Sequence, residues 1–99
     1  MYEELFGSLG LAASAKKLVY GEMLFEMIRE KKIRFVIITN DMSEKQKSNL
    51  INKCEHNNVP FKYLEDVDSL EFSKRIGKFN IKAVGISDSN FAKLIMQKF

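Results

Sequence analysis

The segment that most constrains this chain is Ile33-Arg34-Phe35-Val36-Ile37-Ile38-Thr39, a short run rich in β-branched and aromatic residues and almost unbroken in apolar character. At this length it cannot cross a bilayer, which takes ~20 residues, and it reads as a central strand buried on both faces. Such a strand must be covered from two sides, and its neighbours supply the cover. Upstream, residues 22–32 set Leu24, Phe25, Met27 and Ile28 against Glu26, Arg29, Glu30, Lys31 and Lys32, the pattern of an amphipathic helix closed by basic residues. Downstream, Ser43-Glu44-Lys45-Gln46 is a capping box opening a helix to about residue 57, whose narrow apolar stripe is Leu50, Ile51 and Cys54. The same alternation continues. Residues 61–64 read as a half-buried strand, and Asp68-Ser69-Leu70-Glu71 as a second capping box whose helix runs to Ile76 and stops at Gly77. Residues 78–82 then form a loop, 83–86 a strand and 89–98 a last helix. An opening helix is expected over 3–19, weakened by about 1 kcal/mol at each of Gly7 and Gly10 and so starting late or broken near Leu9. The order predicts an α/β fold, a three-layer α/β/α sandwich around a small, mostly parallel or mixed sheet.

Ninety-nine residues support one core, so residues 1–99 are read as a single domain. With 45% hydrophobic and 29% charged residues, the composition is that of a globular protein and excludes a disordered or repetitive chain. The acidic start Met1-Tyr2-Glu3-Glu4, without a following apolar stretch, does not resemble a secretory signal, and a single cysteine suits a reducing compartment; a cytoplasmic location is expected. The net charge of +3 is too small to name a partner by itself. The basic residues nonetheless gather at Lys16-Lys17, at Arg29 with Lys31-Lys32-Arg34, at Lys45 with Lys47 and Lys53, and at Lys74-Arg75-Lys78, so two clusters meeting on one face would form a phosphate footprint.

Candidates for catalysis are few. Cys54 and His56 stand two apart on one helix and point to different faces, and no second Cys or His completes a metal site. The acids Asp41, Asp66, Asp68 and Asp88 stand where strands or loops lead into helices, as capping residues do. The five glycines form neither a dinucleotide fingerprint nor a P-loop. A non-catalytic protein without cofactor, metal or small-molecule substrate is expected. The loop Gly77-Lys78-Phe79-Asn80-Ile81-Lys82 is more informative, because a Phe and an Ile among lysines pair a stacking surface with phosphate-binding charge, as unpaired RNA bases require.

Four segments in order carry a family resemblance. Leu9-Gly10-Leu11-Ala12-Ala13-Ser14-Ala15-Lys16-Lys17-Leu18-Val19-Tyr20-Gly21-Glu22 resembles the opening of the bacterial YlxQ-like branch of the kink-turn-binding ribosomal protein family of L-seven-Ae type. Arg34-Phe35-Val36-Ile37-Ile38-Thr39-Asn40-Asp41 resembles its K-L-V-I-I-A-x-D strand, Asn58-Val59-Pro60-Phe61 its N-V-P-Y turn, and Phe72-Ser73-Lys74-Arg75-Ile76-Gly77-Lys78 its L-G-K-A-L-G-K helix end. The resemblance implies the same sandwich and binding of structured RNA, ribosomal RNA among the candidates, by a monomer with no membrane partner. Transferred by position, it implies RNA contacts from Gly21, Glu22, Met23 and Glu26, from the loop residues Phe79, Asn80 and Ile81, and from Asn40, with phosphates met by Lys16, Lys17, Lys74, Arg75 and Lys78.

One departure bears on specificity. The family's base-reading motif G-x-N-E-x-x-K is here Gly21-Glu22-Met23-Leu24-Phe25-Glu26-Met27, which lacks its Asn, Glu and Lys. Each such contact is worth on the order of 1–3 kcal/mol in direct readout, so relaxed or altered specificity and weak affinity for a standard kink-turn are expected. Two other functions compete: a protein-interaction module that kept the fold and uses Met23, Phe25 or Phe79 as an apolar anchor, and a nucleotide-binding, receiver-like domain resting on the strand-end acids.

Overall fold

The computed structural model describes residues 2–99. Along the chain run α1 (Glu3–Ser14), β1 (Leu18–Val19), α2 (Glu22–Arg29), β2 (Phe35–Ile38), α3 (Glu44–His56), β3 (Phe61–Tyr63), α4 (Ser69–Arg75), β4 (Ala83–Ile86) and α5 (Ser89–Met96). The strands form one sheet in the order β1-β4-β2-β3. The period-two side-chain alternation of β2 and β4 divides the interior. Phe35, Ile37, Val84 and Ile86 face a layer holding Leu5, Phe6 and Leu9 of α1, Phe72 of α4 and Ile95 of α5. Val36, Ile38 and Ala83 face the opposite way, toward Leu24 and Ile28 of α2 and Leu50 and Cys54 of α3. Every residue of β2 and β4 is buried, as the expected three-layer sandwich demands. Cys54 belongs to that interior; burial, and secondarily the charge of Glu55, push its thiol up to about 11, so it is neither exposed nor ionised near neutrality.

The sheet is mixed. β2 pairs parallel with β3, but β4 runs antiparallel to both β2 and β1, so of the two expected arrangements, mostly parallel or mixed, the sheet takes the mixed one. The first helix also differs from expectation. It neither starts late nor breaks at its glycines, and it ends at Ser14 because Lys16 takes a left-handed backbone (φ 61°), releasing Leu18 and Val19 to pair with Ile86 and Gly85. The predicted caps are in place: Ser43 Oγ accepts the Gln46 N–H (3.2 Å), and Asp68 and Asp88 accept the N–H groups of Glu71 and Phe91 (2.9 Å each).

Gly85 sets the seat of α2 on the sheet. A Cβ there would stand 2.4 Å from Leu24 Cδ1 and 3.0 Å from Ile33 Cγ2, both on buried side chains. Replacing Gly85 with Ala therefore forces the buried Leu24 and Ile33 side chains to repack between α2 and β4, and the expected cost is about 1–3 kcal/mol, as for other overpacked cores. Urea unfolding should show it as a lowered midpoint with an unchanged slope; an unchanged midpoint would show that α2 does not rest on this glycine.

Candidate nucleic-acid interface

The antiparallel course of β4 decides which loops meet. Val19 pairs with Gly85 and Ile38 with Ala83, so the chain leaving β1, the chain leaving β2 and the loop leading into β4 converge at one pole of the sheet. A cleft of about 750 Å³ opens there. Its walls are Tyr20, Gly21 and Glu22 on one side, Phe79, Asn80, Ile81 and Lys82 on the other, with Met42 from the segment before α3 and Gln46 and Asn49 from the first two turns of that helix.

Both lips are held in conformations that particular residues supply. Gly21 has φ 69°, a left-handed value that an L side chain resists, and its carbonyl accepts the Leu24 N–H (3.1 Å) as α2 begins. Nothing crowds its missing Cβ, so glycine is required for the turn rather than for space. On the opposite lip Gly77 (φ 72°) ends α4, and Asn80 (φ 57°) turns the chain back. The buried Ser73 hydroxyl accepts the Ile81 N–H (2.7 Å) and lies 3.2 Å from the Ile81 carbonyl. Thr39 ties the next residue, its N–H donating to the Lys82 carbonyl at 2.9 Å and its Oγ1 lying 3.0 Å from it. With the chain fixed on that side, Ile81 turns inward to 7% exposure while Phe79 projects outward at 90%. Phe79 forms a ridge, and behind it lies a second concavity of about 390 Å³ lined by Leu70, Ser73, Lys74, Lys78, Phe79 and Asn80. Lys78 Nζ also reaches within 5.8 Å of the Tyr20 ring centroid, bridging the two lips.

The structure thus brings Gly21, Glu22, Lys74, Lys78, Phe79, Asn80 and Ile81 to one pole, with Ile81 in the cleft floor rather than at a loop tip. Met23 is exposed on the first turn of α2, and Glu26 lies one turn further on, paired with Arg29 (3.3 Å). Other sequence candidates lie outside the cleft wall. At the same pole, Asn40 donates from Nδ2 to the Glu65 carbonyl (3.0 Å) and accepts the Tyr63 hydroxyl at its own carbonyl (3.3 Å), joining the exits of β2 and β3. Arg75 pairs with Glu3 (2.9 Å) and Glu71 (4.0 Å) and lies 4.4 Å over the Phe6 ring, facing α1. Lys16 and Lys17 sit at the far end of β1, where the Lys17 carbonyl accepts the Ser87 N–H (3.0 Å), so the structure does not group them with Lys74 and Lys78. Sequence reasoning passed over Tyr20, Gln46 and Asn49 as site residues, while Lys82 was marked only as part of the loop around Phe79. The spacing of Gln46 and Asn49 was an available signal, since positions three apart share one helical face. Lys74, Lys78 and Lys82 have no carboxylate partner among the described residues.

Beside the cleft, Asp41 fastens the exit of β2 to the start of α4. It accepts the Ser69 hydroxyl (2.6 Å) and N–H (2.9 Å), and Thr39 Oγ1 donates to it at 2.9 Å. Desolvation works to raise its pKa, but the hydrogen bonds from Ser69 and Thr39 outweigh it and hold the carboxyl below the ordinary aspartate value. A depressed folded-state pKa adds stability above the unfolded-state value, near ~3.9, and loses it as the pH falls through the folded value. Asp41→Asn, which imitates the protonated acid, should therefore be less stable than the parent at neutral pH. The two urea midpoints should converge as the pH drops below about 4; a gap that stays constant down to pH 2 would contradict the account.

Among the described residues no group of His, Cys, Asp and Glu could hold a metal ion, and no helix is long and apolar enough to cross a membrane. A small α/β/α sandwich that carries an apolar and cationic cleft at one pole of its sheet has the build of a binding domain. The chain belongs to the ribosomal protein L7Ae/L30e/S12e/Gadd45 family, whose sequence profile matches residues 3–93. It is 33% identical over 94 residues to the RNA-binding protein YlxQ of Bacillus subtilis (strain 168), covering 94% of this chain and 92% of that one. To the RNA-binding protein YlxQ of Enterococcus faecium it is 38% identical over 86 residues, covering 86% and 81%. Among solved structures, a protein of unknown function from Bacillus halodurans superposes with a TM-score of 0.89 at 25% identity, covering 96% of this chain and 95% of that one. The Giardia lamblia 15.5kD RNA binding protein shares the fold alone, with a TM-score of 0.78 at 16% identity over 96% of this chain and 81% of that one. These relatives carry the family and branch resemblance read from the sequence, and their names describe binding proteins and not enzymes.

Proposed function

We propose that this chain is a non-catalytic RNA-binding protein that engages structured RNA at the pole formed by residues 20–22 and 77–82, with specificity relaxed relative to that for a standard kink-turn. The observation that carries the reading is the single cleft shared by those two segments, lined by exposed aromatic surface and flanked by Lys74, Lys78 and Lys82, which form no ion pair among the described residues. Lysines at its rim meet phosphates, while apolar and amide groups inside it meet bases that are not paired. The RNA-binding relatives support the same reading.

Relaxed specificity follows from what stands at the start of α2. Leu24 is 1% exposed and packs on Gly85, so the position where the family motif has its Glu is given over to the core. Glu22 brings a negative charge to the cleft wall, and the Glu26 carboxylate is engaged by Arg29. None of these groups replaces the missing donors and acceptors for a guanine edge.

The test is a fluorescence titration against kink-turn RNA, an unbent duplex and a loop-containing RNA at two salt concentrations. Affinity should fall steeply as salt rises, and Lys74→Gln and Lys78→Gln should each weaken all RNAs alike and reduce the salt slope by about one unit. Tight, sequence-specific binding of the kink-turn would contradict relaxed specificity. Absence of any salt-dependent RNA binding, with salt-insensitive association with a protein instead, would replace the reading by that of an interaction module.

A further inference from the structure

We infer that the pole opposite the cleft is a second phosphate-binding face, through which one molecule holds the backbone of an RNA duplex while the cleft holds another RNA segment. The inference goes beyond the RNA-binding reading and rests on it for the segment in the cleft. Two of the basic clusters meet at this end, where Leu18 and Phe35 both pair with Ile86. Lys17 and Arg34 flank Ser87 on neighbouring strands, since the Lys17 carbonyl accepts the Ser87 N–H (3.0 Å) and the Arg34 N–H donates to the Ile86 carbonyl (2.8 Å). Two strand spacings, roughly 10 Å, separate their backbones. Lys16 adjoins Lys17, and Lys32, two residues before Arg34, has its backbone within about 7 Å of that residue's.

The turns that carry these lysines are an independent observation. Helices α1 and α2 end alike: Lys16 (φ 61°) and Lys31 (φ 62°) take the left-handed conformation, and the next N–H returns to the helix, from Lys17 to the Ala12 carbonyl (2.8 Å) and from Lys32 to the Met27 carbonyl (2.9 Å). Glycine and asparagine suit that position, and α4 and α3 place Gly77 (φ 72°) and Asn58 (φ 58°) there. Stability alone does not account for lysine at the other two; a need for charge does. Lys16, Lys17 and Arg34 form no ion pair among the described residues, and Lys31 Nζ reaches the Asn57 amide oxygen (3.5 Å). The carboxylates beside them are engaged, Glu30 by Lys32 (3.3 Å) and Asp88 by the Phe91 N–H (2.9 Å). These five cations meet phosphates and read no base, so the backbone of a continuous duplex satisfies them. Theirs is the weaker site, in the ~10⁻⁴–10⁻⁶ M range of non-specific contacts at physiological salt, and a hairpin added up to one equivalent fills the cleft alone.

The test fills the cleft with one equivalent of a donor-labelled RNA hairpin and then adds an acceptor-labelled twenty-base-pair RNA duplex in about 0.05 M salt. Energy transfer should appear only with protein present and fade as salt rises to about 0.2 M. Amide shifts at Lys17, Arg34 and Ser87 should follow the duplex and not the hairpin. Lys16→Gly combined with Lys31→Gly should weaken capture of the duplex at least about fivefold and lower its salt slope by about two units, while hairpin affinity stays within about twofold. The urea midpoint of that variant should not fall, because glycine suits both turns, so lost capture cannot be laid to lost structure. If the hairpin binds and the duplex does not join it, or if the double variant captures the duplex like the parent, the second face is wrong and the RNA-binding reading stands. Poly-glutamate binding this face as tightly as the duplex would assign it to an acidic protein segment and overturn the inference. If the hairpin itself fails to bind, both readings fall.

Discussion

The pairing of β4, antiparallel between β1 and β2, is the constraint on which the rest of this molecule depends. Because β4 runs against its neighbours, the loop that leads into it meets the chain that leaves β1. Were β4 parallel, residues 77–82 would arrive at the opposite pole, beside Lys16 and Lys17, and no cleft would join Gly21 to Phe79. One sheet connection thus assembles the cleft from segments almost sixty residues apart in the chain.

The interior and the cleft are built by the same side chains. Thr39, fully buried at the end of β2, holds the Lys82 carbonyl and contacts Asp41, which in turn fixes Ser69 at the start of α4. Ser73, also buried, spends its hydroxyl on Ile81. Buried polar groups that must find partners find them in the backbone of the loop, and the loop is fixed in consequence. Fixing it beforehand reduces the ordering cost that a mobile loop would meet on binding, which is how a small surface can hold a ligand usefully.

Much of the fold was legible because it follows from local rules. The run around β2, the capping residues Ser43, Asp68 and Asp88, and the stop at Gly77 each have a signature within a few residues. Strand β1 was illegible for the opposite reason: two residues give no period, and Leu18-Val19 becomes a strand only because Gly85 and Ile86 pass beside it. Strand direction is likewise a tertiary property that the alternation of helices and strands does not encode. For the interface, the sequence marked the loop around Phe79 and the turn at Gly21, but it could not say that Ile81 would be drawn inward by Ser73 or that Arg75 would be taken by Glu3, Glu71 and Phe6. Nor could it separate Lys16 and Lys17 from the other lysines, since clustering along a chain does not report which pole a cluster occupies.

The central claim is that RNA is met at the pole shared by the β1–α2 turn and the loop before β4. Amide NMR spectra recorded while a loop-containing RNA is added test it residue by residue. The account predicts that the shifts gather at Tyr20, Gly21 and Glu22 together with Lys78 through Lys82, in step with one another and with one affinity, leaving Lys16, Lys17 and Ser87 unmoved. Shifts centred on Lys16, Lys17 and Ser87, with the cleft silent, would contradict it.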